Sequence, residues 1–113
     1  VARTQSGMEQ AKAKIAELKD RYQNITVQDR GSTYNTDLLE ALELGCMLDI
    51  AETIIHGAMA RQESRGAHYR EDFQDRDDTN WLAHSLIYRT DAGLSLKKKS
   101  VSITRFQPME RKY

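Results

Sequence analysis

Apolar residues in the first fifth of the chain recur at steps of three and four: Met8, Ala11, Ile15, Leu18 and Tyr22. Lys12, Lys14, Glu17, Lys19, Asp20 and Arg21 fill the intervening positions, which predicts an amphipathic helix over residues 6–23 with one narrow apolar stripe. Ser6, followed three residues later by Glu9, fits a capping box at its start. Residues 28–35 then read as a loop, with Gly31 available for a turn. A second, proline-free helix is expected over residues 37–62, capped by Asn35 or Thr36, with Asp37 and Glu40 near the positive end of its dipole.

The second helix has a different pattern from the first. Leu38, Leu39, Leu42, Leu44, Met47, Leu48, Ile50, Ile54, Ile55, Ala58 and Met59 point to nearly every side, and Glu40, Glu43, Asp49, Glu52 and His56 hold only a thin polar strip. Such a helix needs neighbours on more than one side. The single stripe of the first helix cannot cover it, and each large aliphatic left in water forfeits roughly 1.5–3 kcal/mol. We expect cover from three sources together: the C-terminal segment, a helix preceding Val1, and a second copy of the chain.

Beyond Arg61 the composition shifts. Residues 63–84 are dense in charge and poor in aliphatics, with Gly66 where a helix would stop. Residues 85–90 and 99–106 are β-rich, with Asp91-Ala92-Gly93 as a turn between them, so a hairpin and basic tail are expected over 85–113. The chain thus divides into a helical hairpin (1–62), a charged segment (63–84) and the hairpin with its tail.

Charge and cysteine content narrow the possibilities. With 17 basic and 17 acidic side chains, the chain lacks the basic excess of a nucleic-acid binder. No run approaches the roughly 18 apolar residues of a membrane span, and a lone Cys46 has no intrachain disulfide partner. The first residue is Val rather than Met, so we read the chain as a piece of something longer. Cys46, among Leu44, Met47 and Leu48, is expected to be a small buried hydrophobe. Glu52 and His56 share a helical face, but with His68 and His84 distant in sequence a metal site is not expected. Lys97-Lys98-Lys99 reads as a guard on a strand edge. No phosphate loop, nucleophile elbow or paired-cysteine motif is present.

The charged segment admits two readings. One is a fixed network of Arg–carboxylate pairs that orders irregular backbone and presents it to a partner. The other is a solvated loop whose ion pairs contribute about 0–1 kcal/mol each. Phe73, Trp81 and Leu82 interleaved with the charges favour order.

The residues Glu63-Ser64-Arg65-Gly66-Ala67-His68-x-Arg70-x-Asp72-Phe73, then Arg76-Asp77-Asp78-x-Asn80-Trp81-Leu82-x-His84, closely resemble the C-terminal domain of the succinate dehydrogenase/fumarate reductase flavoprotein subunit. Tyr34-Asn35-Thr36 with Leu39-Glu40-x-Leu42-Glu43-Leu44, and the Arg111-Lys112-Tyr113 end, extend the likeness over essentially the whole chain. Gln74 stands where many relatives carry proline, which touches only a local turn.

The resemblance implies a mainly α fold: an antiparallel, spectrin-repeat-like helical bundle whose first helix survives only as a stub over residues 1–5, followed by the charged segment and a β-hairpin. It implies a parent subunit interconverting succinate and fumarate with FAD, and it carries no catalytic, cofactor or metal residue onto this chain. FAD would sit in the parent's flavin domain. Implied partners are the FAD-binding and capping domains of the same subunit and an iron–sulfur subunit. A homodimer through the uncovered helix face is an added expectation; nucleic acid and direct membrane contact are not expected. The implied location is peripheral, on the cytoplasmic (or mitochondrial matrix) face of a membrane.

Glu63, Arg65, His68, Arg70, Asp72, Arg76, Asp77, Asp78, Trp81 and His84 are the candidate interdomain or subunit interface. Arg65, Arg70 and Arg76 are assigned there to ion pairs, and Trp81 to an apolar anchor. The rival readings are a free-standing helical interaction module, or the same domain of a relative such as L-aspartate oxidase or adenylylsulfate reductase.

Overall fold

A computed structural model describes residues 2–109. The Arg111-Lys112-Tyr113 end lies outside the described residues.

Two helices pack antiparallel. Helix α1 runs Gln5–Tyr22 and α2 runs Thr36–Ala60. Lys19 of α1 reaches Asp49 (2.8 Å) and Glu52 (2.6 Å) of α2, while the Tyr22 hydroxyl donates to the Ala41 carbonyl at 2.9 Å. Gly45 permits the close approach at Tyr22, because a Cβ there would stand 2.5 Å from the phenolic oxygen.

The start of α1 differs from expectation. Thr4, not Ser6, is the cap, its hydroxyl accepting from the Gly7 N–H at 3.2 Å. Residues 2–4 are not a helical stub either. Arg3 bridges Arg70 in parallel, donating its N–H to the Tyr69 carbonyl (3.1 Å) and accepting from the Glu71 N–H (2.9 Å). The chain therefore enters α1 from an extended conformation that residues 69–71 hold in place. Asn35 caps α2 as expected, its side chain accepting from the Leu38 N–H at 2.9 Å.

A short helix α3 (Asp78–Trp81) leads into an antiparallel hairpin, β1 (Ala83–Thr90) and β2 (Gly93–Ser100). The expected second strand over 99–106 is displaced. Thr90 pairs with Gly93 across the two-residue turn Asp91-Ala92, so pairing starts at once, and β1 is exhausted when Ala83 meets Ser100. Gly93, at φ 110°, supplies the left-handed backbone that the tight turn requires. The lysine run proves partly structural: Lys98 sits 3.4 Å from the Trp81 ring centroid and donates to the Asn80 carbonyl at 3.0 Å.

The hairpin lies on α2, with Ile87 against Gly57 and Arg89 paired to Asp49 at 2.8 Å. It covers only part of that helix. Leu38, Leu39, Leu42, Met47, Ile50 and Ile54 remain in water, Leu42 and Ile50 at 58 % exposure. Cys46 lies on this open side and is exposed, contrary to expectation, because a helix apolar all round gives no sign of which face is covered. The buried apolar set is small: Met8, Leu48, Ala58 and Trp81.

Candidate functional site: a buried arginine–carboxylate network

The most deeply buried large side chains are charged. Glu63 and Arg70 are both 0 % exposed. Burying an ion is tolerable only when it is paired and its hydrogen-bonding capacity is filled, and both conditions hold here.

Glu63 follows the end of α2 and lies between two arginines. Its Oε1 accepts from Arg61 Nη1 and from Arg65 Nε (2.9 Å), and its Oε2 from Arg65 Nη2 (3.2 Å) and the Asp77 N–H (2.8 Å). Burial pushes its pKa up, but the bonds from Arg65, the Asp77 amide and Arg61 together outweigh that and hold it below the usual carboxylate range. One carboxylate thereby ties the end of α2, the turn at Arg65 and the start of α3.

Arg70 does the equivalent for the helix termini. It grips Asp72 with two bonds, Nε–Oδ1 at 2.8 Å and Nη2–Oδ2 at 2.6 Å. Its Nη1 points at the carbonyls of Met59 (3.1 Å), Ala58 (3.4 Å) and Arg61 (3.5 Å), and Nη2 also reaches Gln5 Oε1 at 3.1 Å. The last turn of α2 has no basic residue of its own, so Arg70 supplies both the donors and the positive charge that a helix C-terminus lacks. Asp72 in turn accepts from the Gln5 N–H at 3.1 Å, in the first turn of α1. Arg70's bonds, with support from Gln5 and Asp72's own backbone, overcome burial and lower the Asp72 pKa to about 2.

Between these two centres the backbone is irregular but held by several local hydrogen bonds. Arg65 and His68 close a tight turn through reciprocal N–H to carbonyl bonds of 2.8 and 3.0 Å, with Gly66 at φ 59°. The Ser64 hydroxyl accepts from the Arg70 N–H at 2.8 Å and donates to the Phe73 carbonyl at 2.7 Å. His68 Nε2 lies 3.1 Å from the Arg61 carbonyl; a carbonyl can only accept, so Nε2 carries the proton. Burial lowers the His68 pKa, the Arg61 carbonyl pulls it back up, and the nearby charges of Arg3, Arg61 and Arg70 lower it further.

Arg65 also pairs with Asp78, which Arg76 contacts at 2.8 Å. The Arg65 bond is the largest cause of a lowered Asp78 pKa; burial opposes it, and the Arg76 charge adds to the lowering. Asp77 caps α3, accepting from the Asn80 backbone (2.9 Å) and side-chain (2.8 Å) N–H groups. Trp81 has two cations over its ring, the Arg61 guanidinium 5.1 Å from its centroid and the Lys98 ammonium 3.4 Å from it.

Nine of the ten candidate residues therefore converge on one network. His84 is the exception: it stands exposed on β1, opposite Lys99. Arg61, which the sequence reading did not single out, is central. Besides Glu63 it donates to the carbonyls of Trp81 (2.9 Å) and Ala83 (2.6 Å) and to Ser85 Oγ (3.1 Å), fastening the hairpin to the end of α2. Arg3, Gln5 and Ser64 were likewise missed. The available signal was a lone arginine at the helix end two residues before a buried glutamate.

Among the described residues no group of three or more His, Cys, Asp or Glu is placed to hold a metal. Glu52 is engaged by Lys19 at 2.6 Å. Nor do the described residues fit a flavin: no glycine-rich turn opens a helix, and the donors of the buried network are largely engaged by its own carboxylates and carbonyls.

Residues 1–113 match the family described as "Fumarate reductase flavoprotein C-term". The chain is 46 % identical over 114 residues to the fumarate reductase flavoprotein subunit of Haemophilus influenzae, covering 100 % of this chain and 19 % of that protein. It is 42 % identical over 105 residues to the succinate dehydrogenase flavoprotein subunit of Rickettsia conorii, covering 92 % and 18 %. A solved E. coli quinol fumarate reductase superposes with a TM-score of 0.90 at 42 % identity, covering 97 % of this chain and 19 % of that one. The chain spans about a fifth of the length of these relatives. These relatives do not favour the interaction-module or aspartate-oxidase readings. The chain belongs to the fumarate reductase flavoprotein C-terminal family, shared by fumarate reductase and succinate dehydrogenase flavoprotein subunits.

Proposed function

We propose that this chain, over residues 1–113, is the C-terminal domain of a flavoprotein subunit that interconverts succinate and fumarate with FAD held elsewhere in the subunit. Its own role is structural. The buried Glu63 and Arg70 centres carry this reading, because they fix irregular backbone as a rigid surface while offering no reacting group. That surface, formed by the 63–84 segment, packs on the FAD-binding and capping domains and meets an iron–sulfur subunit. The enzyme is a peripheral one, on the cytoplasmic or matrix face of its membrane.

The exposed face of α2 supports a second element of the proposal. Leu42, Met47, Ile50 and Ile54 would be covered by the remainder of the subunit, and the isolated chain would dimerise through them.

The test is to express the full coding frame that contains this segment. The product should hold stoichiometric flavin and oxidise succinate or reduce fumarate with an artificial electron carrier. The isolated 113 residues should do neither. A full-length product lacking flavin and both activities would overturn the reading.

A further inference from the structure

Beside the network lies an open cleft of about 330 Å³ whose lining includes Arg61, Arg65, His68, Trp81, His84 and Val101. Among the described residues no carboxylate lines it. Two acids contact the lining arginines: Glu63, wholly buried with both oxygens engaged, and Asp78, which pairs with Arg65 and Arg76.

Among the described residues Arg61 pairs with Glu63, Arg65 with Glu63 and Asp78, and Arg76, outside the lining, with Asp78. Two donors also remain open: among the described residues Arg65 uses Nε and Nη2 but not Nη1, and Arg61 uses both Nη atoms but not Nε. Guanidinium donors held rigid by a buried anion, with an aromatic and an aliphatic wall beside them, form a receptor for a planar anion carried on a short apolar stem. An aspartate or glutamate side chain has that chemistry.

The geometry points to this cleft as the socket for an acidic side chain from another part of the same subunit. The source follows from length: the chain spans about a fifth of its relatives, so most of the surface available to fill the cleft belongs to the same polypeptide. This inference rests on the proposed role as a domain of a larger flavoprotein and adds the chemistry of one contact.

The test uses the full-length subunit and zero-length carbodiimide cross-linking, which joins a carboxylate to an amine and ignores Arg and His. Two variants introduce an amine into the cleft lining, R65K and H84K. His84 is exposed and makes no side-chain bond among the described residues, so H84K should fold even if R65K disturbs Glu63. Peptide mapping should show, in both variants and not in the parent, a new link from residue 65 or 84 to an Asp or Glu outside residues 1–113 of the same chain.

Links only to acids within this domain would overturn the inference, as would no new link in either variant. A link to a carboxylate of a separate subunit would overturn the assigned source. Flavin content and fumarate reduction are measured on the same samples. An active flavoprotein without the cross-link refutes the socket alone, whereas a protein lacking flavin and activity refutes the underlying reading.

Discussion

Replacing Glu63 with glutamine tests whether the charged centre holds the fold. The two side chains have nearly the same shape, so the change is electrostatic. Each oxygen of Glu63 accepts two donors. Glutamine keeps one carbonyl and turns the other position into an NH₂; whichever way the amide is flipped, two acceptor contacts become donor facing donor. Charge-assisted hydrogen bonds contribute about 1.5–3 kcal/mol each, and removing one member of a buried pair costs about 3–5 kcal/mol. Arg65 keeps Asp78, and Arg61 and Arg65 retain some solvent contact, which moves the expectation to the low end, about 3 kcal/mol. For a domain near 100 residues this lowers Tm by about 12 °C. Trp81, the only tryptophan of the chain, stacks on Arg61 within the network and reports unfolding by fluorescence. A Tm for E63Q within about 3 °C of the parent would refute the claim that this carboxylate organises the segment.

Further expectations follow from the same contacts. In R61M, which keeps the aliphatic stem but removes the donors to Glu63, Trp81, Ala83 and Ser85, the hairpin should loosen, red-shifting Trp81 emission and accelerating amide exchange in β1; unchanged spectra and exchange would count against Arg61 as the fastener. Stability should decline on the acid side in two stages. His68 has a lowered pKa, so the unfolded chain takes up that proton first and stability falls as pH drops below about 6.5. The carboxylates of Glu63, Asp72 and Asp78, also lowered, contribute stability present above about pH 4 and lost as pH falls further, for Asp72 down to about 2. Urea unfolding across pH should show H68Q removing the first stage and D72N weakening the second, and a parent profile flat from pH 8 to 3 would contradict both. The glycines separate two causes: G66A should cost about 1–2 kcal/mol from its left-handed backbone alone, since its Cβ meets nothing. G45A should cost about 1–3 kcal/mol by overpacking against Tyr22, and Y22F should relieve part of the loss only in G45A.

The helical pair was legible because its signals are local. Met8 through Tyr22 repeat at the helical period, and Asn35 caps the very helix it precedes. The network was half legible, since Arg65, Arg70 and Arg76 had carboxylates within a few residues to pair with. Arg61 was not, because three of its partners lie 20–24 residues downstream and become neighbours only after the hairpin folds back. His84 erred the other way: membership in a charged motif says nothing about the strand face on which a residue ends. The hairpin was misplaced because the lysines at 97–99 interrupt the apolar alternation begun by Leu94 and Leu96, whereas the two-residue turn alone fixes the register.

Helix α2 shows the physical limit most clearly. Azimuth is read from the contrast between apolar and polar faces, and a helix apolar nearly all round supplies almost none. Leu48 and Ala58 are buried, while Cys46, Met47 and Ile50 are exposed, although all five belong to the same mostly apolar helix. The same lack of contrast indicates what the sequence was shaped to do. An ordinary two-layer surface would carry polar residues at Leu42, Met47, Ile50 and Ile54, because exposed apolar rows invite association. Retaining them fits a setting in which that face is covered, and among the described residues no carboxylate lines the cleft beside Arg61 and Arg65. Two independent surfaces, one apolar and one cationic, are thus each incomplete in the same 113 residues. The membership of a larger subunit proposed above accounts for both at once.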